Sequence, residues 1–144
     1  MTSETTVKKW SFHSKRSIGA VAAGFVITAL LSIVTDVVLH ATGIFPPWGD
    51  AVAGHLFILA TAYRVAYTVL GGYVTAAASP HDPMSHVMAL GVIGTVAATV
   101  GAVVTWNAGP AFGPHWYPLA LVVTALPSVW LGGKLRFGLN RTRR

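Results

Sequence analysis

DAVAGHLFILATAYRVAYTVLGGYVTAAAS, residues 50–79, is long enough to cross a bilayer as a helix and carries an arginine, Arg64, near its middle, with Tyr63 and Tyr67 beside it. A hydrocarbon core about 30 Å thick takes roughly 20 residues of helix. An arginine near its centre costs about 2.5–3.5 kcal/mol even on lenient insertion scales, so it calls for a partner. The rest of the chain is read as the search for that partner.

Charge is confined to the ends. Of 144 residues 53% are hydrophobic and only 10% charged, against about 25% charged in an ordinary soluble domain. Lys8, Lys9, Lys15 and Arg16 precede the apolar block, and Lys134, Arg136, Arg141, Arg143 and Arg144 follow it. Between Ser17 and Gly133 the only Lys or Arg is Arg64, and the acids of the whole chain are Glu4, Asp36, Asp50 and Asp82. The net charge of +6 is therefore read as topology determinants flanking membrane spans, with no nucleic-acid partner. The absence of cysteine excludes disulfides, thiolate metal sites and cysteine-linked lipid anchors.

Turn residues cut the block into four spans. The first, 17–41, is too long for a signal-peptide core and lacks a small-residue cleavage site, so it reads as a retained span with Gly43 as its C-terminal cap. The loop TGIFPPWG leads to Asp50 as the expected N-cap of span two, 51–78, which Pro80 stops. Asp82 as N-cap and Pro83 at the first helical position open span three, 83–106. The loop NAGPAFGPHWYP precedes span four, 117–133. The expected fold is an all-α membrane protein, a four-transmembrane-helix bundle in one domain, 17–133. The flanks are a basic segment 1–16, disordered or lying at the headgroups, and a basic tail 134–144. An even number of spans puts both termini on one side, and both carry the Lys/Arg, so both are expected to be cytoplasmic. A faint internal echo, GIFPPW before span two and GPHWYP before span four, then VLGGYV and WLGGKL, fits two helical hairpins of the same topology.

Helical periodicity assigns faces. Phe57, Ala60, Thr61, Arg64, Tyr67, Thr68, Gly71 and Thr75 share one side of span two. On span one the inward side is read as Ala22, Phe25, Ala29, Ser32, Asp36 and His40. Gly91, Gly94, Ala98 and Gly101 form a small-residue stripe on span three, read as a helix-packing face or the seat of a second subunit. Pro127 is a candidate kink in span four.

Asp36 is the natural partner of Arg64. It lies about four residues, ~6 Å, below the outer end of span one, and Arg64 roughly ten residues, ~15 Å, below the same end of span two. Side chains lean towards their own helix N-terminus, which brings the two together. Asp36, Arg64, Tyr67 and His40 are thus expected to form an intramembrane polar cluster. Asp36 and His40, four apart, have a spacing that suits metal or proton handling, but His55 falls on the far side of span two, and no metal or cofactor is expected. No GxSxG, HExxH or Walker lysine motif occurs, and the Gly71-Gly72 and Gly132-Gly133 pairs sit in apolar segments as packing or kink positions, so no enzyme is indicated.

TDVVLHATGIFPPW, AYRVAYTVLGGYVTA, SPHDPMSHVMALGVIG and HWYPLALVVTALPSVWLGGKL together resemble the small, uncharacterised bacterial four-span membrane proteins. That resemblance implies a multi-pass inner-membrane location and no particular activity. The small multidrug transporters also have four short helices, but their essential acid is mid-membrane in the first, whereas Asp36 is near a span end and faces an arginine. Two functional readings follow. One is a structural or accessory subunit, clamped by Asp36–Arg64, that assembles with itself or a larger membrane complex. The other is a small transporter or permeation protein using the same cluster. Whether the polar faces enclose a cavity or close up dry discriminates between them.

Overall fold

The structure, a computed structural model, describes the backbone of residues 3–141 and the side chains of residues 15–139. It contains α1 (Ser3–Ala41), α2 (Gly54–Ala78), α3 (Pro83–Thr105), a short 3₁₀ turn (Pro110–Phe112) and α4 (Trp116–Arg141), with no strand among the described residues. Four helical stretches are long and apolar enough to cross a membrane, Lys15–Ala41, Gly54–Ala78, Pro83–Thr105 and Pro110–Leu139, the last beginning at the 3₁₀ turn. The side chains of Lys8, Lys9 and Arg141, and Arg143 and Arg144 entirely, lie outside the described residues.

Helix ends differ from expectation where local chemistry competes. α1 begins at Ser3, so the basic N-terminal segment continues the helix of span one. α4 likewise runs past Gly133 to Arg141, since Lys and Arg are good helix formers and suit the negative C-terminal end of the dipole. Pro127 is accommodated inside α4 without ending it. Asp50 is not the N-cap of α2: that place is taken by Ala53, with no side-chain cap. Asp50 instead closes a turn, its N–H bonding Pro47 O at 3.1 Å across Gly49 (φ +93°), and residues 51–53 run extended to the helix. Asp82 does take the N-cap position of α3, with Pro83 following, but at φ +36° it bonds no helix N–H through its side chain. Its carboxylate accepts from the Ser85 hydroxyl instead.

Dense packing lies at the end of the bundle that carries both termini. Ala76, Val87, Leu90 and Val129 form the buried cluster there, flanked by Val21 and Met84. The two glycine pairs organise it. A Cβ on Gly71 would strike the α1 backbone at Gly24, and one on Gly72 the α4 backbone at Val129. A Cβ on Gly132 would strike α2 at Val69 and Tyr73, and one on Gly133 the side chains of Val87 and Met84 on α3. Each pair thus offers one bare backbone to each of two neighbours, the close approach that small residues permit between membrane helices. α2 packs on α1, α4 and α3, and α4 on α2 and α3, whereas α1 makes little contact with α4.

The inward side of α1 is the expected one in its outer half, where Ser32 is buried and Ala29, Asp36 and His40 are half-buried, but not in its inner half. Phe25 and Ala22 are exposed, and the contact row is Ala20, Gly24 and Thr28, four residues apart. It meets Tyr67, Gly71 and Thr75 of α2, also four apart. The Thr28 hydroxyl is shared between Gly24 O (2.9 Å) and Tyr67 O (3.1 Å), and Thr75 Oγ1 donates to Ala20 O at 3.2 Å. Backbone proximity and hydroxyl bonding fixed the rotation of a helix that is apolar nearly all round. Of the stripe on α3, only Gly91 is packed, against Leu126; a Cβ on Gly94 or Gly101 would meet nothing within 4 Å.

Candidate functional site

Away from the packed end the helices part. Asp36 of α1 and Arg64 of α2 meet there, Arg64 Nη2 donating to Asp36 Oδ2 at 2.5 Å. The other carboxylate oxygen accepts from the Tyr63 hydroxyl. Both oxygens of Asp36 are therefore engaged by α2, and the guanidinium also lies over the Tyr63 ring, 5.7 Å from its centroid. The pair is not sealed: the side chains are 31% and 19% exposed for Arg64 and Asp36. Arg64 Nε is buried without a hydrogen-bond partner.

That exposure is to a cavity of about 470 Å³ that occupies the end of the bundle opposite the termini. Asp36, Tyr63 and Arg64 are on its wall, with Phe57 and Ala60 of α2, Ala98, Gly101, Ala102 and Thr105 of α3, and Tyr117, Pro118 and Leu121 of α4. The Pro–aromatic loops supply the rim, through Phe45, Pro47, Trp48 and Asp50 on one side and Ala111 and Phe112 on the other. A second cavity of about 340 Å³ continues deeper, between α1 and α3/α4, and shares Arg64, Ala98 and Leu121 with the first.

Tyr67 and His40 are placed differently from the rest of the expected cluster. Tyr67 neither bonds Asp36 nor lines either cavity: its hydroxyl pairs with Thr35 Oγ1 at 2.9 Å, tying α2 to α1. His40 lines the upper cavity but holds the first loop, its Nδ1 at 2.5 Å from Pro46 O and its ring tilted against Trp48 at 3.7 Å and edge-on to Phe45 at 5.4 Å. On the other loop His115 stacks on Trp106 at 4.3 Å and pairs with Trp106 O at 3.0 Å. His55 is exposed, away from the cavity. Among the described residues no three His, Asp or Glu side chains gather where a metal ion would be held. Gly94 and Ala98 line the deeper cavity, and Ala98 and Gly101 the upper one, so most of the small-residue stripe faces space.

Two features were missed from sequence: Tyr63 as the second hydrogen-bond partner of Asp36, and the pairing of Phe57, itself read as inward, with the Tyr117 ring (4.8 Å) on the cavity wall. The spacing Tyr63, Tyr67, Gly71, Thr75, four apart throughout, carried the signal for Tyr63, because the last three are the row that faces α1. In comparisons with family models, curated proteins and solved structures, nothing matches this chain.

Proposed function

We propose that the chain is a small transporter or permeation protein of a bacterial inner membrane, with both basic termini cytoplasmic and the Asp36–Arg64–Tyr63 cluster at the floor of an outward-facing binding cavity. The observation that carries this reading is the cavity itself. A clamp serving only to join α1 to α2 needs no space beside it, whereas here all four helices contribute walls to about 470 Å³, within the size range of small-molecule sites. The cluster can hold a polar group at a depth where an unpartnered charge would be costly. The accessory-subunit reading keeps one supporting feature, since the ion pair and the Thr35–Tyr67 bond together fasten α1 to α2.

The natural chain has no cysteine, so single cysteines report cleanly. With Ala98→Cys, membrane-impermeant thiol reagents added outside are expected to label the cavity floor, smaller reagents faster than larger ones. Adding Gly101→Leu, which projects into the upper cavity, is expected to abolish that labelling. An unreactive Ala98→Cys in a folded protein would overturn the cavity reading in favour of the clamp. A charge-swapped Asp36→Arg/Arg64→Asp variant that regains folding and loses reagent protection by bound solute would separate the two roles.

A further inference from the structure

We propose that the two cavities form one site for a single-chain amphiphile, with an acyl chain in the deeper chamber and an oxygen-bearing head in the upper one. This deepens the transport reading above and rests on it. The chambers meet at Arg64, Ala98 and Leu121, which line both. Their chemistry differs in a graded way. The deeper wall contains Thr28, Ser32, Thr68 and Thr124, yet each hydroxyl donates to a backbone carbonyl: Thr28 to Gly24 and Tyr67, Ser32 to Thr28, Thr68 to Arg64, Thr124 to Ala120. With their donors spent, these residues add methyl and methylene surface to Phe25, Ile33, Leu90 and Val129. The lower chamber therefore suits a hydrocarbon chain and offers little to a polar solute.

The head is specified by what the junction leaves exposed. Both Asp36 oxygens already accept hydrogen bonds, from Tyr63 and Arg64, while the Arg64 side chain, which only donates, is 31% exposed where the chambers meet. A ligand completing this cluster must bring an acceptor oxygen, as a carboxylate, ester or hydroxyl does. Since the Asp36 and Arg64 charges cancel, a full charge on the head is not demanded. A cationic head without an acceptor would meet a guanidinium that can only donate, and would gain no hydrogen bond from it. The sparsely packed seam between α1 and α3 offers an entry from the bilayer: Phe25 and Ile33, which line the deeper chamber beside it, are also 40% and 58% exposed.

Gly94 gives the site a handle, because it borders the deeper chamber and a Cβ there meets nothing within 4 Å. In phosphatidylcholine nanodiscs, a fatty acid with a diazirine near its methyl end should crosslink saturably to Phe25, Leu90 and Val129, which line the inner part of the deeper chamber. Unlabelled dodecanoic acid or monododecanoylglycerol should compete, the stronger competitor identifying the source of the head oxygen, and dodecyltrimethylammonium should not. Gly94→Leu, or independently Ala97→Phe, should lower the saturable labelling about tenfold or more through overpacking of the chamber. Labelling that does not saturate, that resists both fillings in folded protein, or that the ammonium competes as well as the acid overturns the proposal. Reactivity of Ala98→Cys in the same nanodiscs separates the cases. If it is open without saturable crosslinking, only the amphiphile is refuted; if it is closed, the cavity reading itself fails.

Discussion

Asp36 and Arg64 are not equivalent halves of their pair. A carboxylate left alone can take up a proton and become neutral, whereas a guanidinium cannot lose its charge. Asp36 also serves two donors while Tyr63 serves one acceptor. Asp36→Asn should therefore be the most harmful single change in the cluster, lowering stability in detergent by about 2–3 kcal/mol, below the cost of stranding a fully buried charge because the pair borders a cavity. Arg64→Gln should cost less, and the double variant less than the sum of the two. A thermal-melt double-mutant cycle checks both statements. Asp36 and Arg64 were legible in the sequence because they stand isolated in an apolar block. The roles of Tyr63 and Tyr67 were not, since both flank Arg64 and only the rotation of α1 decides which meets Asp36.

At the scale of elements, the four spans could be read from length, proline and glycine, but the faces only where hydropathy has contrast. α2 has polar residues on one side and was read correctly from Phe57 to Thr75. α1 was read correctly from Ala29 to His40, but it is apolar nearly all round before Thr28, so its orientation there is set by contacts that hydropathy does not weigh: the bare backbone at Gly24 and the shared hydroxyl of Thr28. The α3 stripe shows the converse, since its small residues mostly border space rather than a neighbour. The glycines accordingly fall into two groups with opposite expected responses to alanine. Gly72→Ala and Gly132→Ala push a methyl into a facing backbone and should destabilise by about 1–3 kcal/mol. Gly94→Ala meets nothing within 4 Å and should be neutral or stabilise by up to about 1 kcal/mol through helix propensity. Chemical unfolding in mixed micelles, read by circular dichroism, distinguishes the groups.

Across the whole molecule, the packed end and the open end define a gradient. Single cysteines replacing Thr105, Ala98 and Leu90, which lie successively deeper along α3, should react with impermeant reagents in falling order. Leu90, in the buried cluster, should be inert. Val100 and Val103, exposed on the aliphatic side of α3, should also be inert in nanodiscs despite their exposure. Reaction at Val103 equal to that at Thr105 would mean that this face meets water.

The attachment of α1 has a consequence for biogenesis. Of the four spans, α2 is the least apolar and contains the only mid-span basic residue, so it is the one that a translocon releases to lipid most reluctantly. Its carboxylate counterpart lies on the helix made immediately before it. Asp36 is therefore already in place when Arg64 emerges, and synthesis order supplies the neutralising group in advance. Moving α1 behind α4 by circular permutation would keep the helix-to-helix contacts of the finished fold while removing that head start. Membrane integration of α2 in such a variant should fall, even though the protein, once integrated, is the same.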